Sequence, residues 1–227
     1  MTDSPRHPRH NFLIERIAFF SDAVFAIAIT LMALEIRPPN VAKGDTELMV
    51  WNKFKELLPE FLGLLASFWL IGSVWLRHHQ LFKYVDNFDM RFMAINLWML
   101  FMIILFPFST SFLFNSLFNG GISRLQVFFY LGVPFFCNII LYRMYRLVNR
   151  KHLKGHADID FRKAMFGQAT LILSFALAIA WIAIVPFQYH PFGYIFLMTG
   201  SILAIVYRKK FKTNDKSLTG SPDKRRS

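Results

Sequence analysis

The chain has 227 residues, of which 55% are hydrophobic, and it carries 27 phenylalanines and a formal net charge of +12. This apolar content exceeds what a soluble domain needs for its core, so the composition indicates an integral membrane protein. The positive charge does not indicate nucleic-acid binding, because the basic residues lie at alternate ends of the apolar segments and not along one soluble face.

Six apolar segments predict six transmembrane helices in an all-α membrane protein. They lie near residues 17–36, 57–76, 92–114, 125–145, 164–187 and 192–207, and the sixth is the shortest. The first contains Asp22 and lacks a small-residue cleavage site, so we expect it to remain in the mature chain. The predicted organisation is a flexible N-terminus at 1–11, a transmembrane domain at 12–210 and a basic tail at 211–227.

The basic residues are distributed unevenly between the two sides of the predicted spans. Of the 26 Lys and Arg residues, only Arg37, Lys43, Lys53, Lys55 and Arg124 fall on one side. The positive-inside rule therefore predicts that both termini lie in the cytoplasm, which agrees with an even number of spans.

Two charged residues stand at the start of the first apolar segment, Arg16 and Asp22. A charge deep in a membrane helix costs on the order of 2.5 to 3.5 kcal/mol, so such groups usually face protein or water. Asp22 could cap a helix, with Phe19 and Phe20 as interfacial anchors. Alternatively, Arg16 and Asp22 belong to a polar network that holds several helices together near the cytoplasmic end.

Polar residues in the second and third segments are candidate partners for this network. Trp75 and His78 stand one helical turn apart and share a face, whereas His79 must point elsewhere and does not complete a metal site. Asn96 is a polar amide among apolar neighbours, and Pro107 removes a backbone hydrogen bond late in its helix. Each residue alone is more typical of helix packing than of function.

Together these residues form a pattern that begins with Arg-x-x-x-Phe-Ser-Asp. The pattern comprises Arg16, Phe20, Ser21 and Asp22 in the first segment, Trp75, His78, Leu81 and Phe82 in the second, and Asn96, Leu97, Phe106 and Pro107 in the third. It resembles the transmembrane protein 175 family of potassium channels. The resemblance is strong over the first three spans and rests on hydropathy afterwards.

The motif occurs once, so the chain is similar to the single-repeat prokaryotic members of that family. The resemblance implies a four-fold homotetramer in the bacterial plasma membrane, with the first helix of each subunit lining a central pore. It implies a potassium-permeable channel and no enzyme, with no cofactor besides the permeant K⁺. The expected partners are other copies of the chain, membrane lipids and monovalent cations, without nucleic acid.

Ile27, Thr30 and Leu34 form one helical stripe and fall at positions that match the family's pore-lining residues. Four copies would stack as two apolar rings around a hydroxyl ring, which permits a hydrophobic gate and requires partial dehydration of the ion. No Thr-Val-Gly-Tyr-Gly filter occurs, so we expect modest selectivity for K⁺ over Na⁺. Without the resemblance, such a stripe is ordinarily a packing surface, and its threonine bonds to the preceding turn.

We expect a structural network behind this stripe that holds the pore helix in place. Its members are Arg16, Phe20, Ser21, Asp22, Trp75, His78 and Asn96. A buried carboxylate beside a histidine also suits a proton relay, so a proton-conducting channel is the alternative.

Two further hypotheses rank lower. A secondary transporter would need internal repeats and ionisable midplane groups, which the sequence does not show. Arg143, Arg146 and Arg150 recur at the spacing of a voltage sensor, but they follow the apolar part of the fourth segment. We therefore expect little voltage dependence.

Overall fold

The computed structural model describes residues 8–85, 89–116, 121–152, 159–186 and 195–197. The basic tail at 211–227 lies outside the described residues, as does most of the sixth predicted span at 192–207. So does the start of the N-terminal segment, since α1 is described from Pro8 onward.

Six helices of ten or more residues lie within the described part of the chain, where residues 195–197 are also helical and no strand occurs. They are α1 at Pro8–Leu34, α2 at Glu47–Glu56, α3 at Leu58–Phe82, α4 at Met90–Phe114, α5 at Arg124–His152 and α6 at Ile159–Ile184. Within the described part of the chain, five helical stretches are long and apolar enough to cross a membrane. They are Phe12–Leu34, Glu47–Phe82, Met90–Phe114, Arg124–Arg150 and Phe161–Ile184. These five correspond to the first five predicted spans.

Side-chain caps mark where several helices begin. Thr46 accepts a hydrogen bond from the Met49 amide at the start of α2, and Asp89 accepts one from the Phe92 amide at the start of α4. Such caps satisfy backbone donors that have no partner within the helix. These two helices thus begin at defined residues.

The chain divides into two compact units, Met1–Lys154 and Gly155–Ser227. In the first unit α4 is central and packs against α1, α3 and α5. Its Met99, Ile103 and Phe106 are fully buried. In the second unit the ring of Trp181 on α6 lies 5.7 Å from that of Phe196.

A cluster of buried hydroxyls joins α3, α4 and α5 behind the C-terminal half of α1. Thr110 donates to the Ser67 hydroxyl over 2.8 Å, and the Ser67 and Tyr130 hydroxyls lie 3.1 Å apart. Close by, a Cβ at Gly63 would meet the Phe114 ring, so glycine is what lets α3 and α4 approach at this level. The hydroxyl cluster therefore helps to fix the relative depth of these three helices.

The helix α1 has two distinct faces. Ser21, Phe25, Ala28 and Met32 recur at spacings of three and four and are buried against the other helices. The opposite face turns away from every helix of the same unit. Only the first face is explained by packing within one chain.

Candidate functional site

The predicted network forms around Ser21 and Asp22, near the middle of α1. Asp22 accepts a hydrogen bond from the Trp75 indole Nε1, with 2.8 Å between Nε1 and Oδ1. This bond joins α1 to α3 across the bundle. An indole N–H has no acceptor function, so the carboxylate of Asp22 holds the ring in one orientation.

A second chain of hydrogen bonds runs through Ser21, Asn96 and His78, which are buried. Asn96 Nδ2 donates to Ser21 Oγ over 3.0 Å, and Ser21 Oγ donates to the Ile17 carbonyl over 2.9 Å. The Asn96 Oδ1 then lies 2.8 Å from His78 Nε2. Because Oδ1 can only accept, the tautomer that completes this chain carries its proton on Nε2.

Aromatic rings enclose the imidazole of His78. The Phe82 ring lies 4.9 Å away and the Phe25 ring 5.5 Å away, centroid to centroid. Water is thereby kept from the hydrogen bond to Asn96, and a buried polar group of this kind is costly to leave unpaired. The three helices α1, α3 and α4 are consequently locked together at one level.

Arg16 and Phe20 lie apart from these contacts. Both side chains are exposed, and the Arg16 guanidinium lies 5.8 Å over the ring of Phe12. The reason is helical geometry: Arg16 precedes Asp22 by six residues, which places it well away from the buried face. The structure thus brings together Ser21, Asp22, Trp75, His78 and Asn96, and within one chain it does not add Arg16 or Phe20 to them.

Ile27, Thr30 and Leu34 lie on the face of α1 that points away from the chain's own core. Ile27 is 58% exposed and Leu34 76% exposed, and Thr30 is exposed between them. The Thr30 hydroxyl donates to the Ile27 carbonyl over 2.9 Å. That bond is the one expected of an ordinary membrane threonine, but it uses only the proton and leaves oxygen lone pairs directed outward.

Sequence reasoning missed the hydroxyl cluster of Ser67, Thr110 and Tyr130. It also missed a polar group at the far end of α1, where Ser111 donates to Glu35 over 3.1 Å. Single Ser and Thr residues in apolar segments carry no local signal, because only tertiary packing decides whether their hydroxyls meet.

Comparison with known proteins shows that this chain is similar to a family of ion channels. The family model "Endosomal/lysosomal potassium channel TMEM175" matches residues 16–107. A potassium channel of Chamaesiphon minutus is 31% identical over 178 residues, which cover 74% of this chain and 87% of that channel. A potassium channel of Streptomyces collinus is 39% identical over 43% of this chain and 46% of that protein.

Animal proteins and a solved structure are also similar. The endosomal/lysosomal proton channel TMEM175 of Danio rerio is 37% identical over 36% of this chain and 16% of that longer protein. The crystal structure of a lysosomal potassium-selective channel TMEM175 homolog from Chamaesiphon minutus matches with a TM-score of 0.67 and 26% identity. The match covers 87% of this chain and 97% of the other. The chain therefore belongs to the TMEM175 family of ion channels.

Proposed function

We propose that this protein is a potassium-permeable channel, formed by four copies whose α1 helices surround a central pore. The proposal rests on the difference between the two faces of α1. One face is buried against α3 and α4 and fastened by hydrogen bonds, whereas the face with Ile27, Thr30 and Leu34 has no neighbour within its unit. A helix held this firmly, with a regular stripe left open, suits a pore-lining position.

Small side chains support close approach of neighbouring copies of α1. Ala23, Ala26, Thr30 and Ala33 recur at intervals of three and four, and all four side chains are exposed. Small residues at this spacing let membrane helices come near one another. Four such helices would bring the Ile27 and Leu34 rings close enough to exclude most water.

In such a pore an ion would cross apolar rings at Ile27 and Leu34 and meet an oxygen ring at Thr30. The apolar rings hold water poorly, so they act as a hydrophobic gate and require the ion to shed part of its hydration. The Thr30 oxygens replace some of the lost water ligands, because their protons are already donated to Ile27. One hydroxyl ring supplies few ligands, and the selectivity for K⁺ over Na⁺ is accordingly modest.

The network behind the stripe acts as a support that never contacts the ion. Its bonds from Asp22 to Trp75 and from Ser21 to Asn96 hold the pore helix upright. Arg16 and Phe20 are exposed within one chain, so in the assembly they face a neighbouring copy or the lipid boundary. Following the distribution of basic residues, both termini lie in the cytoplasm of a bacterial cell.

A second candidate is proton conduction. The animal relatives are named proton channels, and a histidine lies within the hydrogen-bonded network beside the proposed pore helix. Histidine is the side chain most suited to exchanging protons near neutral pH. The two candidates differ in what carries the current and not in the fold.

Ion replacement in reconstituted bilayers tests the proposal. The current should reverse at the potential set by the K⁺ gradient, and the solubilised particle should have the mass of four chains. Ile27→Ala should raise the conductance because it widens an apolar ring, whereas the matched control Leu62→Ala, on an exposed face of α3, should not. Reversal that follows the pH gradient would favour the proton channel instead, and a particle of one chain would contradict the tetramer.

A further inference from the structure

The short helix α2 has an unusual position at the end of the bundle. None of its ten residues, Glu47–Glu56, is buried, and only Leu57 separates it from α3. The joined stretch Glu47–Phe82 has 36 residues. A helical path of that length measures about 54 Å, against about 30 Å of hydrocarbon. Since α3 alone is long enough to cross the bilayer, α2 is not needed to span it.

One face of α2 is covered by the chain segment that arrives from α1. Lys53 Nζ donates to the Asn40 carbonyl over 2.9 Å and to Asp45 Oδ2 over 2.5 Å. Trp51 precedes Lys53 by two residues and therefore lies on nearly the opposite side of the helix. The polar side of α2 thus contacts the loop, and Trp51, nearly opposite Lys53 on the helix, is exposed.

That outward side is apolar and aromatic. Leu48, Trp51 and Phe54 follow at intervals of three, the rings of Trp51 and Phe54 stack 5.8 Å apart, and Lys55 Nζ lies 5.5 Å over the Trp51 ring. An amphipathic ring beside an ammonium group is typical of the headgroup level of a bilayer. Lysine near this level places its charge among lipid phosphates and its stem along apolar surface.

This apolar surface continues into the outward face of α3. The Phe54 ring lies 6.2 Å from that of Phe61, and the next turns of α3 expose Leu62 and Leu65. Exposed leucines on a transmembrane helix suit contact with lipid tails. The apolar surface of α2 therefore continues onto a face of α3 that is suited to lipid.

We propose that α2 is an interfacial helix, with Leu48 and Trp51 inserted at the boundary between phospholipid headgroups and acyl chains. The apolar side meets lipid and the Lys53 side meets the loop. Because Lys53 holds the loop that follows α1, this anchor also sets the depth of the α1 end that carries Leu34. The proposal does not depend on the pore or on the number of subunits.

Two neighbouring positions on α2 provide a matched test. Leu48 is 68% exposed and Met49 53% exposed, so both accept a label without disturbing a core, yet they face directions about 100° apart. The full chain carrying Leu48→Cys or Met49→Cys is labelled with a nitroxide and reconstituted in vesicles of phosphatidylcholine and phosphatidylglycerol. Cys137, the single native cysteine, is buried, and the unsubstituted chain reports any labelling there.

Collisions with oxygen, which partitions into lipid, and with a water-soluble nickel chelate measure the environment of each label. We expect the ratio of oxygen to nickel collisions to be several-fold higher at position 48 than at position 49. Free access of nickel to both labels would overturn the proposal, because α2 would then lie in water. An immobile label at position 48, protected from both reagents, would overturn it too, because that face would then be covered by another protein surface.

Discussion

At the scale of single residues, the most informative contact is the one between Trp75 and Asp22. The Arg-x-x-x-Phe-Ser-Asp pattern marks Asp22 as unusual, but only the fold shows which group satisfies it, because Trp75 follows 53 residues later. The same pattern contains Arg16, which the helical geometry turns to the exposed side. Membership of one motif therefore does not mean membership of one contact network.

Trp75→Phe should lower the free energy of unfolding by about 1 to 2 kcal/mol, because it deletes the donor to Asp22 while it keeps an aromatic ring. Unfolding in mixed detergent micelles measures the change. The matched control is Trp69→Phe on the same helix, since Trp69 is 75% exposed. Equal losses in the two variants would show that the hydrogen bond contributes nothing specific.

Thr30→Val should reduce the permeability ratio of K⁺ to Na⁺ toward one, because it removes the ring of oxygens and retains the shape of the side chain. Thr30→Ser keeps the hydroxyl and should preserve most of the ratio. Reversal potentials with K⁺ on one side and Na⁺ on the other measure it. A ratio that valine leaves unchanged would remove Thr30 from the proposed selectivity mechanism.

At the scale of elements, the connection between α1 and α2 is organised by one ion pair. Lys53 bonds to Asp45, which also accepts a hydrogen bond from the Ala42 amide over 2.8 Å. Together these contacts fold the loop back against α2. The sequence shows the charged residues of this loop, but their pairing depends on where α2 begins, which the Thr46 cap decides.

This loop should loosen only in strong acid. The hydrogen bond from Lys53, followed by that from Ala42, lowers the pKa of Asp45 below its ordinary value of 3.8. The contribution of the pair is therefore complete above 3.8 and is lost as the pH falls through the lowered pKa. Proteolysis of the loop by pepsin along a series of acidic pH values measures this change. After each rate is divided by the rate at which pepsin cleaves a denatured protein at the same pH, Asp45→Asn should show no remaining pH dependence. A loop of the unsubstituted chain that is cleaved as fast at the least acidic pH as at the most acidic would contradict the pairing.

At the scale of the whole molecule, one chain supplies one candidate pore helix, and in the proposed tetramer other copies complete the open face of α1. The positions of charged residues along the spans determine how the membrane potential acts on the protein. Arg143, Arg146 and Arg150 are exposed side chains at the last turns of the span Arg124–Arg150. Charges at the end of a span cross little of the field when the protein moves.

Replacing these three arginines with Gln should therefore leave the steepness of the conductance–voltage relation unchanged. Moving one charge across the whole field changes the energy by about 2.3 kcal/mol per 100 mV, so a true sensor would be obvious. Recordings from planar bilayers over a range of potentials test this, with the unsubstituted channel as reference. A steep relation that flattens in the variant would identify α5 as a voltage sensor.

Local composition and residue spacing were sufficient to predict several features of this protein. The lengths of the apolar segments predicted the five spans that the structure describes. The motif in the first three segments indicated the family. Periodicity also grouped Ile27, Thr30 and Leu34 on one face of a helix. These properties depend only on the regular geometry of single helices and on the solvent that surrounds them.

Which polar groups form hydrogen bonds with one another depends on the tertiary structure. It joined Ser21 to Asn96 and Ser67 to Thr110, pairs separated by 75 and 43 residues, and it turned Arg16 away from Asp22. It also showed that the Ile27 face has no partner within its unit, which periodicity cannot reveal, since an apolar stripe looks the same whether it packs or lines a pore. The physical reason is that such contacts depend on how helices far apart in the chain are rotated and shifted against one another.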